Sequence, residues 1–104
     1  MKKIQAVIRA SKFDEVRIAL HAIGVEFFTY YEVKGVTFQN DNKKAYRGTM
    51  ITEATTIPRR SLEIVVPCDD ANEVVECIKK SAHTGATGDG KIFISNIDQQ
   101  VRIH

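Results

Sequence analysis

Cysteine is scarce in this chain of 104 residues, which contains only Cys68 and Cys77. Their spacing fits no metal-binding or redox motif, so we expect both to be reduced, small apolar residues. The three histidines, His21, His83 and His104, do not share the spacing that a metal site requires. The sequence therefore predicts no metal centre.

An excess of charge of one sign is also missing, since 15 Lys and Arg residues face 13 Asp and Glu residues, for a net charge of +2. This balance is too mild to indicate nucleic-acid binding, and no basic cluster is long enough to form a tract. No apolar run approaches the length of about 18 residues that a membrane span needs. Gln5 and Arg9 interrupt the apolar residues near the N-terminus, so no signal-peptide core is expected. We expect a cytoplasmic protein without a nucleic-acid partner and without direct membrane insertion.

Groups that carry out catalysis are missing from the pattern as well. The sequence contains no evident carboxylate pair, activated nucleophile or arginine–asparagine site for an acyl phosphate. No catalytic residue is therefore predicted, and the chain is not expected to be an enzyme. A slow ATPase stays open as an alternative.

The apolar residues that are present recur with the periods of strands and helices. Hydrophobic residues make up 43% of the chain, enough for one modest core in a single domain, residues 1–104. Ile4, Ala6 and Ile8 alternate with their neighbours and predict a strand. A helix is predicted next from apolar residues at helical spacing, followed by a glycine suited to a C-terminal cap: Phe13, Val16, Leu20, Ile23 and Gly24.

The rest of the chain repeats this pattern of strands and a helix. Strands are predicted over 27–34, 62–66 and 91–97, with a short final strand over 99–103. Asp70 and Glu73 form a capping-box pattern ahead of a second helix. The apolar face of that helix contains Val74, Val75, Ile78 and Ala82. The order βαββαβ predicts an α+β, ferredoxin-like fold, in which both helices cover one face of an antiparallel sheet.

Residues 36–60 do not fit this pattern, because about 25 residues pass without sustained periodicity, longer than an ordinary structureless loop. The segment has a net charge of +3, so we expect a long loop that reaches a partner instead of packing in the core. Tyr46, Met50 and Ile51 are candidate anchors for that contact. A disordered insertion without function is the alternative.

A glycine-dense turn that leads into a strand is the strongest local signal. Gly85, Gly88 and Gly90 can adopt positive φ and allow backbone N–H groups to approach a ligand closely. Lys91, at the junction with the strand, supplies the charge that phosphate oxygens require. The segment 84–91 predicts a phosphate-binding turn, with a glycine-rich β-turn and a solvated lysine as the alternative.

Five collinear blocks of sequence resemble the PII signal-transduction family over nearly the whole chain. They are the opening strand at 1–9, the first helix at 13–20, the region 23–35 with Thr29, the Tyr46-Arg47-Gly48 tripeptide followed by the strand at 63–67, and the C-terminal signature from Thr84 to Ile97. Members of this family are trimeric nitrogen regulators that bind ATP or ADP between subunits. The resemblance implies the same for this chain.

The resemblance also implies which residues form the sites. The nucleotide-binding positions are Thr29, Gly35, Gln39, Glu63, Val65, Thr84, Gly85, Gly88, Asp89, Gly90, Lys91, Arg102 and His104. The partner-binding loop positions are Lys43, Lys44, Tyr46, Arg47, Gly48, Met50 and Ile51. The loop is expected to dock onto a target protein such as a membrane transporter or a metabolic enzyme. A homotrimer is expected, and Phe28, Tyr30 and Val33 supply apolar material for its contact.

The chain departs from the family at positions that contact phosphate. Phe38 stands where the family has an arginine, Ala86 where it has a lysine, and His104 in place of a second terminal arginine. ATP and ADP are the implied ligands, and these departures make AMP a further candidate. Ile51 replaces the tyrosine that many members uridylylate, which excludes that modification. Gln39 keeps the position that contributes to Mg²⁺ and 2-oxoglutarate binding in the family, and whether this chain binds either is left open.

Thr37 and Phe27 are further departures, since each replaces a glycine of the family. With fewer basic residues available, phosphate affinity is expected to depend on the N–H groups of residues 88–90, on Lys91 and on Arg102.

A nucleotide-sensing regulator is the leading function that the sequence predicts, with nitrogen regulation as the family default. A PII-like sensor of adenine nucleotides outside nitrogen control is an alternative. An RNA-binding module of similar strand order is less favoured, because Lys91-Ile92-Phe93-Ile94 lacks the aromatic-rich signature on which bases stack.

Overall fold

The computed structural model describes residues 1–40 and 52–104, with side chains for 1–36 and 56–104. In chain order the elements are β1 (Lys2–Arg9), a single 3₁₀ turn (Ala10–Lys12), α1 (Phe13–Ala22), β2 (Thr29–Asn40), β3 (Thr52–Val66), α2 (Cys68–Ala82) and β4 (Gly90–Asn96). The strands form one sheet in the order β2-β3-β1-β4, and every pairing is antiparallel. This is the predicted ferredoxin-like arrangement.

The core lies between one face of the sheet and both helices. Alternate residues of β1 and β3 are buried on this face, as the period of a strand requires. Together with the helix residues they form a single cluster of Ile4, Ala6, Ile8, Phe13, Val16, Leu20, Leu62, Ile64, Val66, Ala71, Val74, Ile78 and Ala82. Both helices therefore cover the same face, and no helix of residues 1–40 and 52–104 lies on the other face of the sheet, called here the open face.

Helix α1 ends as predicted, at a left-handed glycine. Gly24 has a φ of 95°, and its N–H donates to the carbonyl of His21 at 3.1 Å. The N–H of Val25 donates to the carbonyl of Leu20 at 3.0 Å. These two bonds form a Schellman motif, which satisfies carbonyl groups that the end of a helix leaves free.

The predicted capping box of α2 is wrong. The helix begins at Cys68, directly after Pro67, and has no side-chain cap. Pro67 has the extended conformation that suits a residue ahead of a helix, and its carbonyl accepts from the N–H of Asp70 at 3.0 Å. Asp70 consequently lies in the first turn, where its negative charge interacts favourably with the helix dipole.

Strands β2 and β3 extend far into the segment that the sequence predicts as a loop. Their pairing is continuous from Thr29 opposite Glu63 to Asn40 opposite Thr52, so the expectation of a loop over all of 36–60 is wrong. Pairing of β3 with β1 stops at Arg59. Beyond this point β3 pairs only with β2, and residues 34–40 and 52–58 form a two-stranded segment called here the ribbon. Backbone pairing of two strands requires no apolar alternation in their sequence, so the pattern of apolar residues did not predict it.

The two arginines at the root of this ribbon face opposite sides of the sheet. Arg60 lies over the ring of Phe13, 4.3 Å from its centroid, on the helix side. Arg59 lies on the open face and is 8% exposed. Both are engaged within the domain, so the expectation that their charges are free to reach a partner is wrong.

Two of the three residues that are expected from the sequence to form a contact between chains do not lie on the open face. The rings of Phe28 and Tyr30 approach Phe13 with centroid distances of 6.4 Å and 4.5 Å, which places them on the helix side. Val33, opposite Arg59 in the register, lies on the open face. The predicted final strand over 99–103 is absent, since the described residues after β4 have no regular secondary structure.

We predict that alanine at Gly90 is far more damaging than alanine at Gly24. A Cβ at Gly90 would lie 2.0 Å from the carbonyl oxygen of Val7, whereas nothing lies within 4 Å of a Cβ at Gly24. Gly24→Ala is expected to cost roughly 1–2 kcal/mol from its positive φ alone. Gly90→Ala adds overlap, for a total of about 3 kcal/mol or more. Urea unfolding of both variants measures the difference, and equal losses would contradict the close approach of β4 to β1.

Candidate functional site

The carboxylate of Asp89 organises the glycine-rich turn between α2 and β4. Its Oδ2 accepts from the backbone N–H of Thr84 at 2.8 Å and of Gly85 at 3.2 Å. Its Oδ1 accepts from the Thr84 hydroxyl and from Nε of Arg9, the latter at 3.2 Å. Gly85 and Gly88 have φ values of 87° and 90°, a conformation that residues with a side chain rarely adopt. The carboxylate of Asp89 thus joins the end of the turn to its beginning.

These contacts favour the charged form of the carboxylate. The side-chain hydrogen bond from Thr84 is the largest cause, followed by the backbone N–H of the same residue, and together they hold the pKa of Asp89 well below its usual range. Thr84 and Asp89, which the sequence assigns to nucleotide binding, use these side-chain atoms to shape the turn.

Two arginines of the open face donate hydrogen bonds to two backbone carbonyls of the turn. Arg9 and Arg59 lie opposite each other on β1 and β3. Nη2 of Arg9 donates to the carbonyl of Thr87 at 2.9 Å, and Nη2 of Arg59 donates to that of Gly88 at 2.6 Å. Like charges directly opposite each other in a sheet repel. The turn supplies the oxygens that offset this repulsion, which ties its conformation to the sheet.

The binding of these carbonyls leaves the other side of the turn available to a ligand. Within the described residues, the N–H group of Gly88 has no hydrogen-bond acceptor. Lys91 is exposed directly after the turn, so the turn and its two arginines together contain three cationic side chains and one carboxylate. Free backbone donors with an excess of positive charge are the features that bind phosphate.

Gly35, another predicted nucleotide-binding residue, lies next to the side chain of Arg59. A Cβ at Gly35 would lie 2.9 Å from both Cδ and Nε of Arg59, so glycine at this position of β2 leaves room for the Arg59 side chain as it is placed. Nη1 of Arg59 is buried and has no hydrogen-bond partner among the described residues. A buried donor without an acceptor is costly, and an anionic ligand nearby would satisfy it.

A second group of predicted site residues lines a cavity at the opposite end of the sheet. Thr29, Glu63, Val65 and Arg102 lie along a space of about 900 Å³. Lys3, on the neighbouring strand, pairs with Glu63 at 3.6 Å. Glu63 is four positions from Arg59 along β3, which corresponds to about 13 Å at the rise of a strand. In one chain, the two groups of site residues therefore do not line a common cavity.

The remaining predicted residues lie outside both groups. His104 is exposed at the chain end and does not line the cavity. The backbone of Gln39 pairs with Glu53 in the ribbon, and its side chain lies outside the described atoms. The predicted partner-binding positions, Lys43, Lys44, Tyr46, Arg47, Gly48, Met50 and Ile51, all lie outside the described residues.

Sequence reasoning missed the roles of Arg9 and Arg59. Arg9 was treated as an interruption of the apolar N-terminus, and Arg59 as a charge of the loop. The alternation of β1 does assign Arg9 to the face opposite Ile8. Its contact with Asp89 joins residues 80 positions apart, and no local pattern contains that information.

Two further findings concern metal ligands and membrane spans in the described parts of the chain. Residues 1–40 and 52–104 contain no group of three or more His, Cys, Asp or Glu residues placed to hold a metal ion. No helix of these residues is long and apolar enough to span a membrane.

Acidification is expected to destabilise the protein through Asp89. Its carboxyl pKa is lower in the folded state than the value of about 3.9 in an unfolded chain, so the folded state favours the charged form. The contribution of Asp89 to the free energy of unfolding is fully present above about pH 5, and it is lost as the pH falls through 3.9 towards the pKa in the folded state. Asp89→Asn removes this titration.

The measurement is the urea midpoint of each variant between pH 5 and pH 3. Asp89→Asn should decline less steeply than the parent, while Asp98→Asn, at an exposed carboxylate outside the turn, should decline like the parent. Parallel curves for the parent and Asp89→Asn would show that the carboxylate does not hold the turn.

Comparison with known proteins agrees with this geometry. The family model described as nitrogen regulatory protein P-II matches residues 1–104. A relative from Methanothermobacter thermautotrophicus named nitrogen regulatory protein P-II 2 is 47% identical over 103 residues, which is 99% of this chain and 89% of the relative. Nitrogen regulatory protein P-II of Rhizobium etli is 45% identical and covers 99% of this chain and 91% of its own length.

The fold is also similar to a solved structure of this kind. The structure of the B. subtilis GlnK-ATP complex superposes with a TM-score of 0.81 at 33% identity, over 93% of this chain and 84% of that one. With a family match over the full length and relatives far above 30% identity, the chain belongs to the nitrogen regulatory protein P-II family.

Proposed function

We propose that this chain is a signal transducer that binds an adenine nucleotide between the subunits of a homotrimer and regulates a target protein through residues 36–60. Its relatives are named as regulatory proteins, and the similar GlnK structure is a complex with ATP. The observation that carries the proposal is the turn at 84–90. Two arginines bind its carbonyls, and the N–H group of Gly88 has no acceptor among the described residues, three positions before Lys91.

The turn is the phosphate-binding part of the proposed site. Backbone donors and cationic side chains converge there, as phosphate oxygens require. The terminal phosphates of ATP and ADP differ in charge and reach, so groups near Gly35 and Arg59 would interact with the two nucleotides differently. Because Phe38, Ala86 and His104 replace basic residues of the family, we propose a preference for ADP or AMP over ATP.

The division of the site residues between two ends of the sheet supports a binding site between chains. One chain offers the turn at one end, and Thr29, Glu63, Val65 and Arg102 at the other. A neighbouring chain can bring the second group against the turn of the first. Binding would then require assembly.

The open face is the surface that we propose for this assembly. It carries exposed Tyr31 and Phe93, which are 47% and 54% accessible, with Val7 on a strand between theirs and Val33 next to Tyr31 on β2. Apolar side chains on an uncovered sheet face favour contact with another chain. Threefold symmetry closes such a contact around an axis without leaving a free surface.

We propose a regulator that binds nucleotide without turnover. The described residues contribute cations and backbone donors to the turn, while its carboxylate is held by four hydrogen bonds and is not available as a base. Slow ATP hydrolysis is the alternative. Release of phosphate during a nucleotide titration would favour it.

Lys91→Ala is expected to weaken nucleotide binding by about ten- to a hundredfold, because it removes a charge-assisted contact to phosphate. Calorimetric titration with ATP and ADP measures the loss. Lys80→Ala, at an exposed lysine of the last turn of α2, is the matched control and should bind like the parent.

Light scattering on both lysine variants checks that assembly is unchanged. Each should have three times the mass of the 11.7 kDa chain. A monomeric parent would remove the proposed site between subunits. Unchanged affinity in trimeric Lys91→Ala would place phosphate binding elsewhere.

ATP and ADP are expected to slow tryptic cleavage at Lys43, Lys44 and Arg47 to different extents. Only a ligand that interacts differently with two states of a segment can shift its population. Mass spectrometry of the fragments over time measures the rates, with cleavage at Lys79 and Lys80 in α2 as the internal control. Equal cleavage rates in the free, ADP-bound and ATP-bound protein would contradict control of residues 36–60 by the nucleotide.

A further inference from the structure

The most exposed aromatic side chain among the described residues lines the cavity. Phe27, in the connection between α1 and β2, is 77% accessible and faces the same space as Thr29, Glu63 and Val65. Its neighbour Phe28 packs against Phe13 in the core. Two consecutive phenylalanines therefore have opposite environments, and the ring of Phe27 has its face available to a ligand.

The charges of the cavity indicate which part of a nucleotide it suits. Four carboxylates and two basic side chains line it: Glu26, Glu63, Asp70, Glu73, Lys3 and Arg102. An excess of carboxylates repels phosphate groups, which the cationic turn at the other end of the sheet attracts. Carboxylate and hydroxyl oxygens can instead accept hydrogen bonds from the amino group of a neutral base. The base end of a nucleotide fits this cavity better than the phosphate end.

We propose that Phe27 is a specificity-determining residue that stacks on the purine base of the bound nucleotide. This inference deepens the proposed function and rests on it. Bases stack on aromatic side chains through their π faces, and the contact depends on the ring, not on apolar area alone. A purine offers a larger face than a pyrimidine, so the same contact favours adenine over cytosine or uracil.

The stacking contact is a property of this chain and not of the family, since the resemblance assigns a glycine to this position. A glycine offers no side chain to a base. Phe38 and Ala86 replace basic residues that contact phosphate, so this chain has fewer contacts to the phosphates. The contact of Phe27 with the base therefore compensates for that loss of affinity.

The test compares Phe27→Leu with Phe27→Tyr in the full-length protein. Leucine keeps an apolar side chain but has no ring, and tyrosine keeps the ring. Because Phe27 is 77% exposed in the single chain, neither change is expected to alter the folding of the chain. Phe27→Leu should bind ATP and ADP about tenfold more weakly by calorimetry, with the same factor for both, and Phe27→Tyr should bind like the parent.

A fluorescent base gives a readout that a merely structural role would not change. The emission of 2-aminopurine riboside triphosphate is expected to be quenched on saturation of the parent and of Phe27→Tyr, because its base stacks on the ring. Saturated Phe27→Leu should leave the emission high. Inorganic tripolyphosphate, which has no base, should bind the parent and Phe27→Leu equally.

The outcomes separate this inference from the proposed function. If the parent binds ATP but Phe27→Leu matches it in affinity and in quenching, base stacking on Phe27 is overturned and the proposed function stands. If Phe27→Leu also loses tripolyphosphate binding, the residue acts on the phosphate site and stacking is again overturned. If the parent binds neither ATP nor the fluorescent analogue, the proposed function and this inference both fail.

Discussion

The guanidinium of Arg59 connects three segments that are distant in sequence, and the candidate site depends on that connection. The Arg59 side chain projects from β3, lies against Gly35 of β2, where a Cβ would come within 2.9 Å of it, and donates to the carbonyl of Gly88 in the turn. Arg9 makes the parallel contact from β1 to Thr87 and Asp89. The position of the turn, the glycine at position 35 of β2 and the charge distribution of the open face therefore depend on one another.

The electrostatics of this arrangement favour an anion. Two arginines that face each other across a sheet repel, and a single carboxylate with two carbonyls offsets only part of their charge. Nη1 of Arg59 is still without an acceptor among the described residues. The cavity at the other end of the sheet has the opposite bias, since carboxylates outnumber basic groups there. The two ends of the sheet thus have opposite charge excess, which agrees with the proposed binding of a nucleotide between two chains.

The ribbon connects this electrostatic arrangement with the segment proposed to contact a target. Gly35 lies where β2 leaves the sheet, and Arg59 lies where β3 enters it. A ligand that displaces the turn acts on Arg59, and Arg59 contacts both strands of the ribbon at its root. Coupling between nucleotide and ribbon then needs no long pathway, because the same side chain belongs to both.

The sequence by itself determined the local elements and the family. Apolar periodicity predicted β1, α1 and the core residues Ile4, Val16 and Leu20, because strands and helices repeat at intervals that a linear pattern records. Gly24 was predicted as a cap because only glycine adopts positive φ without strain. Collinear motifs indicated the family, and the glycines with Lys91 indicated a phosphate-binding turn.

Tertiary structure alone decided the contacts that give these elements a function. The pairing of β2 with β3 beyond the core could not be predicted, because backbone pairing of two strands requires no apolar alternation in their sequence. The separation of Thr29 and Glu63 from the turn depends on strand register. Arg9 and Arg59 acquire their roles from partners 80 and 29 positions away. A hydrogen bond between such residues exists only after folding brings them together, and no local pattern of the chain encodes it.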